Sequence, residues 1–454
     1  MKNGLNLERV LGLPTVVFIA VGFTIGGGVF VFTGIVFNIT RQALPLAYAL
    51  ASIPVFMSMM PIAMLGSAVP TTGGNYRYPS RMVSPGLAFV GIWVYALASF
   101  FGQIPLYALG CGEYAKIFFP NISSSLFAVA IVTVFFLVNV VGIRLAAQIQ
   151  GVLVLTLICA LVYYSAAGFS NLQPENFSPV MEKGVANLCL GTALLTFTYF
   201  GANGIIELGG EIVDPGRVIP RAFFIAFPII VLLYIAVATA TVGAVPAGEI
   251  ENATEPLIRV ARLTAGKTGF LFFVFGGAIL ALLTTLNALF IVGTKSLLAI
   301  TADNLLPSSL GNLHHRFQTP HRLLTLIWIL SILGILSGFT LETLASYAAL
   351  GALIIFVPIN IAALKLPKKY PDQYRQSSFK LTGLWFWVCP VTGIFMVFFF
   401  GIIILFDLGS FIKIGCFVLF IGSGILYFLA RKAYLLKKGI NITRRIMTDE
   451  AWHE

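Results

Sequence analysis

The residues of this chain best suited to gripping a small molecule carry almost no side chain. Phe18–Gly34 reads FIAVGFTIGGGVFVFTG, with Gly26, Gly27 and Gly28 consecutive at the centre of a stretch apolar enough for a lipid bilayer. Glycines let a helix unwind at little cost. Unwound backbone at membrane depth is tolerated only where it is buried in protein or lines a cavity. A broken helix exposes N–H groups at one new end and C=O groups at the other. The first end is partly positive and suits a carboxylate; the second suits an ammonium. Phe197–Gly204, FTYFGANG, is a second such interruption. Two breaks side by side can hold a zwitterion with no charged side chain. The expected contacts are Thr24, Ile25, the amides of Gly26, Gly27 and Gly28, the carbonyls of Thr24, Phe197 and Phe200, and the neighbouring Thr198, Gly201 and Asn203. Phe197 is placed to close over the ligand as an aromatic gate.

Carboxylates inside a membrane are functional by default. Glu207 and Glu211 lie one helical turn apart just past the second break. Glu211 is expected to pair with Arg217 or Arg221. Glu207 is expected to act in coupling or gating, as a proton carrier or as the partner of a polar group on another span. Thr284 and Thr285 are hydroxyls suited either to Na⁺ or to close helix packing. Gln103 and Tyr107 could line the same pocket. The five cysteines (Cys111, Cys159, Cys189, Cys389, Cys416) read as small buried hydrophobes. No metal-ligand cluster stands out.

The elements that must position these residues are membrane helices. The 454-residue chain is 58% hydrophobic and 10% charged, with a mean hydropathy of +0.96. This is an all-α polytopic membrane protein. Spans of about 20 apolar residues fall at 13–35, 43–69, 84–115, 125–142, 146–169, 185–213, 221–245, 270–301, 323–340, 342–364, 383–407 and 411–431, making twelve transmembrane helices. Residues 1–35 read as an uncleaved first span rather than a signal peptide. The net charge of +11 does not imply nucleic acid, because the cations sit in short loops and at the C-terminus.

Lys and Arg concentrate on the segments that are inside if the N-terminus is cytoplasmic. Only Arg41, Lys116, Lys183, Arg259, Arg262, Lys267 and Lys413 fall outside, which places both termini in the cytoplasm of a cell (inner or plasma) membrane. Span 1 then runs outward and span 6 inward. Interrupted helices at corresponding positions of oppositely oriented halves mark a site between inverted repeats. The expected organisation is a cytoplasmic N-terminus (1–12), repeat 1 (13–169), repeat 2 (185–364), two appended spans (383–431) and a cytoplasmic tail (432–454). The loop 246–269 contains PLIRVARLTAG, expected to be an amphipathic helix across the outer mouth. Asn-x-Ser/Thr triplets occur at Asn38, Asn121 and Asn252.

Four ordered signatures resemble the amino acid–polyamine–organocation (APC) family of permeases. Span 1 has Ile25-Gly26-Gly27-Gly28-Val29-Phe30. The loop after span 2 has Pro70-Thr71-Thr72-Gly73-Gly74-Asn75-Tyr76-Arg77-Tyr78. Span 6 runs into Glu211-Ile212-Val213-Asp214-Pro215-Gly216-Arg217-Val218-Ile219-Pro220-Arg221, with Asp214 where the family has Asn. Span 8 has Thr284-Thr285-Leu286-Asn287-Ala288 and then Ala302-Asp303-Asn304-Leu305-Leu306-Pro307, with Ala302 and Asn304 in place of Arg and Gly. The resemblance implies a LeuT-like fold of two inverted five-helix repeats, with helices 1 and 6 discontinuous. It implies amino-acid transport by alternating access, with Thr24, Gly26–Gly28, Phe197 and Phe200 as contact positions. The acidic residue that serves coupling in some members is Asn203 here. The span-5 stretch Gln150–Leu157 lacks the lysine that replaces sodium in others. Residues 116–124 hold no Cys, so no disulfide-linked heavy chain is expected.

The leading expectation is a secondary amino-acid permease, working as exchanger or ion-coupled symporter, with a neutral substrate and no cofactor beyond H⁺ or Na⁺ coupling. A cationic amino-acid or polyamine transporter and a non-transporting sensor on the same scaffold are the alternatives. An enzyme is disfavoured, since no nucleophile sits with a base. A channel does not need two facing broken helices. The chain has no GxxxxGK[ST] motif for ATP. The sequence is silent on oligomeric state.

Overall fold

The structure is a computed structural model that describes residues 9–116, 118–250 and 256–448, without the side chains of 143–148. Ten stretches are long and apolar enough to cross a membrane. The first of these, Leu13–Ala68, is two helices, Leu13–Thr40 (span 1) and Leu44–Ala68 (span 2), joined by a three-residue turn of 3-10 helix. The others are Pro85–Ala115 (span 3), Ser124–Val141 (span 4), Ile149–Phe169 (span 5), Gly184–Glu207 (span 6), Pro215–Gly243 (span 7), Gly266–Ala302 (span 8), Leu341–Lys369 (span 10), Gly383–Asp407 (span 11) and Phe411–Lys437 (span 12). The shorter apolar helix His321–Leu336 completes the expected set as span 9.

Span 1 is the hub. It packs against spans 5, 6, 7 and 8, and the most apolar window of Leu13–Ala68 is 78% buried. The corresponding window of span 12 is 17% buried, so that helix lies at the edge of the bundle with its apolar side chains turned outward, as lipid contact requires. Cys159 and Cys416 are also exposed, which corrects the reading of all five cysteines as buried; Cys111 and Cys389 are buried.

Both interruptions are present in the backbone. Span 1 leaves helical geometry at Gly26 (φ −36°, ψ −140°). In span 6 the α-helix ends at Tyr199 and tightens to 3-10 helix over Phe200–Glu207. The second break therefore begins three residues later than FTYFGANG suggests.

Several boundaries also move. Span 6 does not reach residue 213: Ile212 instead pairs with Leu11 in an isolated bridge. Span 7 starts at Pro215, where Pro can open a helix without losing a hydrogen bond. The stretch after span 2, read as a loop, folds as a helix over Gly74–Met82. PLIRVARLT is helical over Pro256–Thr264, with Leu257, Ile258, Val260 and Ala261 buried, as its periodicity predicts. Asn252 lies outside the described residues. The chain after span 12 forms a short helix, Ile442–Met447, whose Ile442 and Ile446 are buried and which packs on Gly74–Met82. We call the end of the bundle where Leu11, Gly74–Met82 and Ile442–Met447 gather the tail face.

Candidate functional site

Between the two breaks lies a cavity of about 30 Å³, bounded by Phe23 and Thr24 of span 1, Tyr95, Gln103 and Tyr107 of span 3, Phe197, Thr198, Phe200, Gly201, Asn203 and Gly204 of span 6, and Ala352 and Ile355 of span 10. Among the described residues, no charged side chain lines it. Ligand pockets usually run to about 300–1,000 Å³, so side chains must move before this one admits a small molecule. A second cavity of about 660 Å³ runs along the half of the bundle away from the tail face, lined by Phe32, Asn38, Tyr114, Leu194 and Ser346 among others. Phe32 of the wide cavity and Phe197 of the narrow one meet as a tilted ring pair, centroids 5.0 Å apart. That pair is a thin partition.

Of the expected contacts, Thr24, Phe197, Thr198, Phe200, Gly201 and Asn203 come together on the cavity wall, as do Gln103 and Tyr107. Ile25, Gly26, Gly27 and Gly28 stand behind it. Gly26 fits against Thr285 and Gly27 against Tyr107 and Leu282, where a Cβ at either position would collide. One of the exposed amides is already engaged: Gly27 N–H donates to Thr285 Oγ1 at 2.8 Å. Thr285 donates in turn to Ala281 O at 3.2 Å, and Thr284 donates to the same carbonyl at 2.7 Å. Thr285 thus ties span 8 to the break in span 1, whereas the Thr284 hydroxyl is spent within span 8. The hydroxyls of Thr24 and Thr198 are spent on their own helix, on Ala20 O and Leu195 O.

The C=O ends are organised by a residue that the sequence did not single out. Tyr234 of span 7 is buried, and its hydroxyl lies 2.6 Å from Thr24 O and 3.1 Å from Thr198 O. One phenol therefore straddles the carbonyls of both broken helices. The single tyrosine of span 7, set in the apolar run after Arg221, was the available signal, since a buried Tyr hydroxyl usually finds a partner. Tyr234→Phe is expected to keep the fold and to weaken cargo binding by about ten-fold, the loss of one well-placed hydrogen bond at about 1.4 kcal/mol. Unchanged binding by equilibrium dialysis would remove Tyr234 from the site.

The tail face is sealed. Glu207 Oε1 accepts from Asn75 N–H and Oε2 from Ser296 Oγ, each at 2.8 Å. Glu211 does not pair with Arg217 or Arg221. Its Oε1 binds Lys295 Nζ at 2.9 Å, with both side chains buried, while its carbonyl caps the N–H groups of Val10 and Leu11. Arg217 reaches only Asp214, at 3.8 Å, with both side chains exposed. A lysine on span 8 satisfies Glu211 because the 3-10 segment turns that carboxylate inward, away from the arginines that follow it in sequence. Asp303, from the last of the four signatures, accepts both terminal nitrogens of Arg81 at 2.6 and 2.8 Å and the Tyr76 hydroxyl at 2.6 Å.

An all-helical bundle with two helices interrupted beside one uncharged central cavity is the architecture of a membrane permease. The chain belongs to the amino acid permease family of the APC superfamily, whose profile matches residues 11–425. It is 24% identical to the branched-chain amino acid permease BcaP of Bacillus subtilis (strain 168), over 84% of this chain and 85% of that one. It is 26% identical to the methylthioribose transporter of the same organism, over 81% and 83%. It is 26% identical to the vacuolar cationic amino acid transporter 2 of Arabidopsis thaliana, over 82% and 62%. These relatives are permeases and transporters, not enzymes.

Proposed function

We propose that this protein is a secondary transporter that moves a neutral amino acid across the cell membrane by alternating access, with its tail face in the cytoplasm. The observation that carries this reading is the cavity between the two breaks, which offers backbone, hydroxyl and amide groups but no charge. A cationic side chain entering it would be desolvated without a counter-charge, which is costly. Glu207, the reason to consider a cationic cargo, does not line the cavity, and both its oxygens are already bonded. Phe23, Phe197, Phe200, Ala352 and Ile355 favour an apolar side chain. The Lys and Arg distribution supports the orientation. The two halves around spans 1 and 6 act as inverted repeats, and the wide cavity on the half away from the tail face supports an outward-facing reading. Exchange or an ion gradient supplies the driving force.

In proteoliposomes, radiolabelled L-leucine is expected to enter by counterflow and to be displaced by excess unlabelled neutral amino acids. A hundred-fold excess of L-arginine should leave uptake unchanged. Displacement by arginine instead would overturn the neutral-cargo reading, and binding without counterflow would make the protein a sensor. Repeating the assay with and without Na⁺, and across pH, identifies the coupling.

A further inference from the structure

One hydrogen-bonded chain joins the cavity to the sealed face. Asn203 on the cavity wall donates through Nδ2 to Asn75 Oδ1 at 2.8 Å. Asn75 N–H donates to Glu207 Oε1, and Glu207 Oε2 accepts from Ser296 of span 8. All four residues are buried, at 4%, 3%, 1% and 5% exposure for Asn203, Asn75, Glu207 and Ser296. Asn203 Oδ1 has no hydrogen-bond partner among the described residues. It is a buried acceptor on a cavity-wall residue, and an unsatisfied buried acceptor is costly.

We propose that Asn203, Asn75 and Glu207 form a relay through which cargo in the cavity unlocks the tail face. This rests on the transport reading above. Cargo brings N–H donors, its ammonium first among them. An Asn203 amide that turns its oxygen toward such a donor no longer aims Nδ2 at Asn75. Asn75 sits where the loop after span 2 becomes the helix Gly74–Met82. That loop grips the inner half of span 6 closely. Gly73 N–H bonds Glu207 O at 3.1 Å, and a Cβ on Gly74 would stand 2.6 Å from Ile206 O. A Cβ on Gly209 would stand 2.6 Å from Thr71 O. The segment and span 6 are therefore too tightly fitted to slide independently. Release at Asn75 is passed along Gly74–Met82 to Arg81 and its bond with Asp303. Asn75 and Glu207 are positioning residues, since neither lines the cavity.

The test uses the full-length protein in liposomes with L-leucine as probe. Three quantities are read: equilibrium leucine binding, leucine counterflow, and amide hydrogen exchange of residues 70–82 with and without saturating leucine. In the parent, leucine should raise exchange in that segment. In Asn75→Ala, binding should change by less than about three-fold while counterflow falls about ten-fold, within the usual range of coupling energies. Leucine should also no longer alter exchange of 70–82. Asn203→Ala cuts the relay from the cavity end and, with leucine raised until it saturates the variant, should lose the same exchange response. The double variant Asn75→Ala/Glu207→Gln should be no worse than the poorer single, as links of one chain are not additive. An exchange response in Asn75→Ala equal to the parent's, or losses that multiply in the double variant, would overturn the relay. A parent that does not bind leucine overturns the cargo reading instead, so the two failures are distinct.

Discussion

Gly201→Ala is expected to reduce leucine uptake by at least about a hundred-fold, the scale of loss when reacting or binding groups are displaced by about 1 Å. Gly201 lies where span 6 crosses span 1. A Cβ there would stand 2.5 Å from Phe23 C, Phe23 O and Thr24 N. Those are backbone atoms, which cannot rotate aside. The two broken helices must separate, and with them the Thr24 and Thr198 carbonyls that Tyr234 spans. Stability should fall by only about 1–3 kcal/mol, the usual effect of overpacking, so the variant still reaches the membrane. Gly27→Ala meets Tyr107 and Leu282 side chains, which can give, and should lose less. Gly28→Ala meets only Thr198 atoms at 3.4 Å or more and should retain most uptake. Uptake measured at equal protein density gives the rank. Gly28→Ala falling below Gly201→Ala would sink the argument that backbone proximity, rather than glycine content, makes the site.

That ranking marks what the sequence could and could not convey. Consecutive glycines at 26–28 announced that span 1 is interrupted, and it leaves helical geometry at Gly26. The same triplet suggested that its amides face the ligand. Whether an amide faces a cavity or a neighbouring helix depends on partners hundreds of residues away. Here Thr285 of span 8 takes the Gly27 N–H, and it is Gly201, in the second interruption, that makes the close backbone crossing between the two broken helices. The spans themselves were legible because about 20 apolar residues are required whatever they pack against. The helix Gly74–Met82 was not, since its residues are mostly polar or aromatic and all are buried by tertiary contact.

Departures from the family pattern were legible as substitutions but not as conformations. Asp214 and Asn304, standing where the family has Asn and Gly, both adopt positive φ, 46° and 61°. Asp and Asn are among the non-glycine residues that best tolerate that region, so each exchange preserves a left-handed turn. The partner of Glu211 was misjudged for a related reason. Arg217 and Arg221 are near in sequence, but span 7 begins immediately after a left-handed Asp214. The turn carries Arg217 into solvent, leaving Lys295 to face the carboxylate.

The tail-face lock makes the second large prediction. Asp303→Asn is expected to destabilise the protein by about 3–5 kcal/mol, because removing one partner strands a buried charge. The Arg81 and Asp303 side chains are 3% and 11% exposed. Asp303 receives two guanidinium nitrogens and the Tyr76 hydroxyl. An asparagine keeps one acceptor oxygen, turns the other position into a donor facing the guanidinium, and removes the negative charge. Asp214→Asn supplies the control. Its pair with Arg217 is 3.8 Å long and more than half exposed on both sides, so about 1 kcal/mol or less is at stake, and Asn accepts the same left-handed geometry. Denaturation of both variants in the same detergent separates the two, and equal midpoints would show that the Arg81–Asp303 bond contributes nothing beyond a surface pair. Function should move with stability here. Arg81 lies on the helix against which the tail helix Ile442–Met447 rests, so loosening it should raise hydrogen exchange in 74–82 and 442–447 together. Without added amino acid, the variant should expose its tail face more often and leak labelled leucine from preloaded vesicles faster than the parent. Faster leak with an unchanged midpoint would assign the pair to gating alone, whereas a lower midpoint with no leak would assign it to folding alone.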